Sequence, residues 1–174
     1  MNPLENAIRN VPDFPKPGIQ FKDVTPLLGN GPLFREAIDR LAARHAESDV
    51  EAIVGIEARG FIVGAALAHA LGTGFCPVRK PGKLPGSVFR KTYDLEYGTD
   101  TLEIHADALE GCRRILLADD LLATGGTASA TAELLAERFD LDIVEALFLV
   151  ELTFLNGRDR LAPLPVFSLV QYDA

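Results

Sequence analysis

A chain of 174 residues, 48% hydrophobic and 24% charged, suffices for one substantial core and predicts a single domain over residues 1–174. Its net charge of −8 argues against generic binding to nucleic acid or to anionic membranes. No apolar run reaches membrane-spanning length, and Met1-Asn2-Pro3-Leu4-Glu5 lacks the basic and apolar regions of a signal peptide, so a cytoplasmic protein is expected.

In chain order, residues 4–9 suit a short helix. Residues 12–23 carry three prolines within six positions, which excludes a helix and predicts an extended segment. Gly31-Pro32 opens a helix whose apolar positions 33, 34, 37, 38, 41, 42 and 45 follow a helical period. A strand is expected over residues 52–56, a helix over 60–71 and a strand over 74–79. After a long irregular stretch come a strand over 113–118, a helix over 127–139 and a strand over 143–150. A short helix near 156–161 and a strand over 166–170 finish the chain. Apolar strands alternating with helices predict an α/β fold: a mainly parallel, twisted sheet with right-handed crossovers and helices on both faces. Cys76 and Cys112 sit at the edges of apolar runs, as reduced, packed thiols do. His45 and His69 fall within helix patterns and are assigned to structure.

The stretch with most chemistry runs from Ile115 to Thr127. An apolar strand ends in Asp119 and Asp120. Leu121, Leu122, Ala123 and the turn Thr124-Gly125-Gly126-Thr127 follow, and an Ala/Leu-rich helix comes next. Small residues at a helix start let the backbone approach an anion, and free N–H groups and hydroxyls receive it. Two carboxylates would repel more phosphate, so ribose hydroxyls or a metal-bound polyphosphate fit them better. The spacing is neither that of a P-loop nor that of a dinucleotide-binding turn.

Two further motifs stand out. In Gly55-Ile56-Glu57-Ala58-Arg59-Gly60-Phe61 an Arg sits where a helix N-terminus is already positive, a conflict that a bound anion relieves. The alternative is that Arg59 simply pairs with Glu57. Residues 58–93 contain no acid but hold Arg59, Arg79, Lys80, Lys83, Arg90 and Lys91, while the remaining bases face all 25 acidic residues. A long irregular segment in a compact domain is commonly a functional lid. Its second half alternates enough for a hairpin, with Gly98-Thr99-Asp100 at the turn and Glu96 and Tyr97 beside it.

The Asp119 to Thr127 signature resembles that of the type I phosphoribosyltransferases. Four more segments resemble their adenine-specific branch: Pro12-Asp13-Phe14-Pro15 through Gly18 to Phe21-Lys22-Asp23, Glu57-Ala58-Arg59-Gly60-Phe61, Arg79-Lys80-Pro81-Gly82-Lys83-Leu84-Pro85, and Tyr93 with Leu95-Glu96-Tyr97-Gly98 and Leu102-Glu103-Ile104. The resemblance covers about residues 11–172. It implies a type I phosphoribosyltransferase fold with a base-recognition segment at 1–30, a flexible lid at 80–104 and the phosphoribosyl pyrophosphate signature at 113–127. It implies that Asp119 and Asp120 accept the ribose hydroxyls, and that Ala123, Thr124, Gly125, Gly126 and Thr127 hold the 5′-phosphate. Arg59 would contact pyrophosphate with Lys80 and Lys83 near it, across a cis peptide at Glu57–Ala58. Phe21 and Leu121 would sandwich adenine, the backbones of Gln20 and Lys22 would read its edge, and Glu96 and Tyr97 would reach the reacting centre.

The reaction so implied is purine salvage: adenine and phosphoribosyl pyrophosphate give AMP and pyrophosphate. Arg59, Asp119, Asp120, Glu96 and Tyr97 are its candidate catalytic residues. Mg²⁺ is the implied cofactor, bound mainly through substrate and water and not by a dedicated protein site. The partners are these two small molecules, with no nucleic acid, no membrane and a second copy of the chain in a homodimer. Two alternatives remain: transfer to another base, and a non-catalytic sensor of phosphoribosyl pyrophosphate. Against the sensor, 174 acidic-balanced residues leave no room for an added DNA-binding module.

Overall fold

The computed structural model describes residues 2–94 and 98–173. Asn2 caps a short helix α1 (Pro3–Asn6) by accepting the Leu4 N–H, and the chain then enters strand β1 (Arg9–Pro12). Strand β1 pairs antiparallel with β2 (Gln20–Asp23), Arg9 facing Asp23 and Pro12 facing Gln20. The N-terminal helix is thus shorter than its local sequence predicts, because a strand partner eleven or more residues away claims Arg9. Helix α2 (Thr25–Gly29) was not foreseen; the Asp23 carboxylate accepts the Thr25 N–H at 2.9 Å and starts it. Helix α3 (Gly31–Arg44) begins on Asn30, whose side chain accepts the Leu33 N–H.

Strand β3 (Ala52–Ile56), helix α4 (Gly60–Leu71) and strand β4 (Gly74–Val78) lie where the periodicity puts them. Strands β5 (Val88–Asp94) and β6 (Thr99–His105) form an antiparallel hairpin, with Asp94 opposite Thr99. Thr99 and Asp100, expected in its turn, open β6 instead. Strand β7 (Arg114–Leu122) extends four residues past its predicted end, followed by helix α5 (Gly126–Arg138) and strand β8 (Asp142–Leu152). A 3-10 turn, helix α6 (Gly157–Leu161) and strand β9 (Val166–Tyr172) complete the order.

The central sheet has the order β4-β3-β7-β8-β9 with every pairing parallel. Side chains of a strand alternate between faces, and two cores result. Ile53, Leu116 and Ala118 pack with Val63 and Leu67 of α4 on one face. Val54, Ile56, Ile115 and Leu117 pack with Leu134 and Leu135 of α5 on the other. Leu102 and Ile104 of β6 are fully buried in this second core. From β3 the chain moves outward to β4, and from β7 it moves the opposite way to β8. The carboxyl ends of β3 and β7 therefore flank the point where strand order reverses, which is where open parallel sheets hold ligands. Among the described residues no helix is long and apolar enough to cross a membrane.

Candidate functional site

A cleft of about 370 Å³ opens at that crevice, lined by Glu57, Ala58, Arg59, Lys80 and every residue from Asp119 through Ala128. Asp119 and Asp120 are neighbours near the carboxyl end of β7, so their side chains leave opposite faces of the strand. The Asp119 carboxylate accepts the Asp120 N–H at 2.8 Å. It fits because residue 60 is glycine: a side chain there would begin 2.6 Å from Asp119 Oδ1. Burial, then the adjacent Asp120 carboxylate, push the Asp119 carboxyl well above the usual carboxylate range. Asp120 accepts instead from Arg59 Nε.

Residues 123–127 leave the strand and enter α5 through Gly125, whose φ of +80° only glycine adopts cheaply. This turn rests on the start of α6 at backbone distance. A side chain at Gly125 would begin 2.4 Å from the Gly157 carbonyl oxygen, and one at Gly157 would begin 2.3 Å from that of Ala123. Arg158 fixes α6 by a two-pronged pairing with Glu151 at 2.6 Å on each prong, and Ser168 donates to the same carboxylate at 2.6 Å. The turn is therefore backed by rigid structure while its residues line the cleft.

The basic segment is organised by acids from both sides. Glu57 accepts from Lys83, from the Lys80 N–H at 2.9 Å and from Arg79 Nε at 3.2 Å. Glu103, only 1% exposed, accepts the Gly82 N–H at 3.0 Å and Arg90 Nε at 2.6 Å. Lys80 pairs with Asp100 of the hairpin. Arg59 thus pairs with Asp120 and not with Glu57, which resolves the sequence alternative in favour of a guanidinium inside the cleft. The Glu57–Ala58 peptide is cis, as the resemblance implies.

Beside the cleft lies a more apolar pocket of about 380 Å³ lined by Val11, Phe14, Phe21, Asp23, Thr25 and Arg59. Phe14 meets Phe21 edge to face at 5.1 Å, and the Arg59 guanidinium stands 5.9 Å from the Phe21 ring centre. Arg59 lines both cavities and joins them. Leu121 lines the cleft while Phe21 lines the pocket. The Gln20 side chain is turned to Asn10, which donates to it at 2.7 Å, and the Lys22 ammonium sits 4.1 Å from the Tyr172 ring centre. Glu96 and Tyr97 lie outside the described residues.

The structure brings Arg59, Lys80, Asp119, Asp120, Leu121 and the turn 123–127 into one cavity, with Phe21 adjoining it. Lys83 is close through Glu57. Sequence reasoning missed Phe14, Tyr93, Asp100 and Gly157. Phe14 could have been found from its place in an apolar, proline-bounded loop, and Tyr93 and Asp100 from the expected hairpin, whereas Gly157 meets the turn across a long sequence separation and leaves no local signal.

Residues 27–151 match the phosphoribosyl transferase domain family. The chain is 56% identical over 169 residues to the adenine phosphoribosyltransferase of Chloroflexus aurantiacus, covering 97% of each. The crystal structure of adenine phosphoribosyltransferase from Thermoanaerobacter pseudethanolicus superposes with a TM-score of 0.91 at 49% identity, over 97% of this chain and 98% of that one. The Saccharomyces cerevisiae enzyme, complexed with an imino-altritol bisphosphate and adenine, superposes with a TM-score of 0.89 at 43% identity, over 95% of this chain and 96% of that one.

Proposed function

The chain belongs to the phosphoribosyl transferase family, in its adenine phosphoribosyltransferase branch, and from that premise we propose how its residues convert adenine and phosphoribosyl pyrophosphate to AMP and pyrophosphate. The observation that carries this reading is one shared cleft. It joins an acidic pair, a glycine turn at a helix start and a basic loop, and a phenylalanine-lined pocket opens beside it.

Residues 123–127 receive the 5′-phosphate through backbone N–H groups and the Thr124 and Thr127 hydroxyls. Asp119 and Asp120 accept the ribose hydroxyls. Adenine lies between Phe21 and Leu121, so that N9 attacks C1′ as the bond from C1′ to the pyrophosphate oxygen breaks. Charge grows on that oxygen, and Arg59, with Lys80 and Lys83, is placed to neutralise it. Binding requires partner exchange, because Arg59, Lys80 and Lys83 are each paired with a carboxylate in the free protein. The ribose hydroxyls take over Asp120 as pyrophosphate takes over Arg59, so neither charge is left stranded.

The oxygen-only donors of the acidic pair fit Mg²⁺, which keeps several waters and binds through few carboxylates plus substrate phosphates. When bound it supplies neutralisation of the leaving pyrophosphate. The resemblance supports a role for Glu96 and Tyr97 in the reaction, Glu96 taking the proton from adenine N7 as N9 attacks. The family resemblance also supports a cytoplasmic homodimer.

The test offers each purine base with phosphoribosyl pyrophosphate and Mg²⁺ and measures nucleotide and pyrophosphate. Adenine should give AMP and pyrophosphate in equal amounts. Absence of nucleotide from every base would overturn the reading.

The expected lid, residues 80–104, is anchored to the body of the protein at several points. Leu102, Glu103 and Ile104 are buried, Lys91 pairs with Glu133 and Glu137 of α5, and Phe89 stacks edge to face on Phe139. We propose that the segment 80–104 closes over bound substrate while held at these anchors. Limited proteolysis of the free protein should cut there, and phosphoribosyl pyrophosphate with Mg²⁺ should suppress the cut. Equal cleavage with and without ligand would leave a static hairpin.

A further inference from the structure

The Tyr93 hydroxyl stands between two groups that the reaction uses. It lies 3.1 Å from Thr127 Oγ1 in the first turn of α5 and 3.2 Å from Asp100 Oδ2 across the hairpin. Asp100 also accepts from the Lys80 ammonium and from the Thr101 N–H at 2.8 Å. Lys80 and Thr127 line the cleft at its two phosphate ends, whereas Tyr93 packs its ring against the second core behind it. A continuous hydrogen-bonded path, Lys80 to Asp100 to Tyr93 to Thr127, therefore runs behind the cleft wall. We propose that Tyr93 is a positioning residue for the 5′-phosphate, directing the Thr127 hydroxyl towards it. The proposal rests on residues 123–127 being the phosphate cradle.

Donor counting gives the mechanism. Burial pushes the Asp100 carboxyl up, but Lys80 and the Thr101 N–H more than offset it, so it stays below its ordinary value and is ionised at neutral pH. A carboxylate only accepts, so in the free protein Tyr93 donates to Asp100 and Thr127 donates to the Tyr93 oxygen. A phosphate oxygen is the stronger acceptor for the Thr127 hydroxyl. Once phosphate arrives, Thr127 turns to it and Tyr93 turns its own proton to the Thr127 oxygen. Asp100 keeps the Thr101 N–H as a donor, and Lys80 where no pyrophosphate takes it, so no polar group is stranded. The chain Tyr93 to Thr127 to phosphate then polarises cooperatively, strengthening the final bond.

Tyr93→Phe removes one oxygen and keeps the ring in its packing, so it separates positioning from folding. Calorimetry on the wild type and the variant measures ribose 5-phosphate and Mg²⁺–pyrophosphate separately, alongside KM for both substrates. We expect ribose 5-phosphate binding weakened about 3- to 10-fold, the scale of one hydrogen bond. Pyrophosphate binding, KM for adenine and kcat should hold. Thr127→Val should show a similar loss, and the double variant no further loss, as members of one path are not additive. Unchanged ribose 5-phosphate affinity in Tyr93→Phe, uniform weakening of every ligand, or additive losses would overturn the proposal and leave Tyr93 a structural tether. A wild type that binds no ribose 5-phosphate would overturn the cradle itself, and this proposal with it.

Discussion

Replacing Asp119 and Asp120 together by asparagine should leave the protein folded and lower turnover by about 10²-fold or more, near 2.7 kcal/mol of barrier. The two carboxylates end β7 inside the cleft, and their surroundings read as a ligand site. Asp119 sits where Gly60 makes room for it, in burial that disfavours its charge, beside a second carboxylate that disfavours it further. A fold has no use for such a pair. A ribose with two adjacent hydroxyls does, and a sugar acquiring positive charge at C1′ does still more. Asparagine keeps the shape and loses the charge, so transition-state stabilisation falls while packing survives. The ion pair of Asp120 with Arg59 adds little to stability, since the Arg59 side chain is 43% exposed and water can replace its partner. Each single asparagine variant should cost less than the pair. Turnover and thermal unfolding of the three variants check this; near-normal turnover in the double variant would remove the hydroxyl-binding role.

The parallel sheet and the cradle were legible because their signals are local. Strands β3, β7 and β8 read as continuous apolar runs, since a strand buried on both faces has no polar side to show. The turn at 124–127 announced itself by small residues at a helix start. What escaped were features decided by partners distant in sequence. Arg9 leaves the first helix because Asp23 and its strand pair with it. Thr99 and Asp100 join β6 because Asp94 and Tyr93 lie opposite, and Asp100 then finds Lys80. Gly157 looks like any glycine near a helix start, yet its missing side chain is what admits the Ala123 carbonyl. Charge counting located the basic segment at 58–93 correctly but not its pairing. Only the fold shows that Glu57, Asp100 and Asp120 hold its Lys83, Lys80 and Arg59 in waiting.

Adenine should be preferred over hypoxanthine by up to about 10⁴-fold in kcat/KM, a discrimination that fixed backbone groups can reach. The register of the N-terminal hairpin supports this. Among the described residues strand β2 pairs only with β1, so no strand takes the backbone groups on its other edge. That edge is left for a ligand, in the strand whose Phe21 lines the apolar pocket. Gln20 and Lys22 are two apart, so their backbone groups point to the same edge of the strand. The carbonyl of Gln20 can then accept from the 6-amino group while the Lys22 N–H donates to N1. Hypoxanthine presents an oxygen to the carbonyl and an N–H to the amide, and both contacts fail at about 1–3 kcal/mol each. A backbone cannot flip its donor and acceptor as an amide side chain can. The Gln20 side chain is already engaged with Asn10, so Gln20→Ala should leave the preference largely intact. Comparable kcat/KM for the two bases in the wild type would overturn the backbone mechanism, and loss of the preference in Gln20→Ala would transfer the discrimination to the side chain.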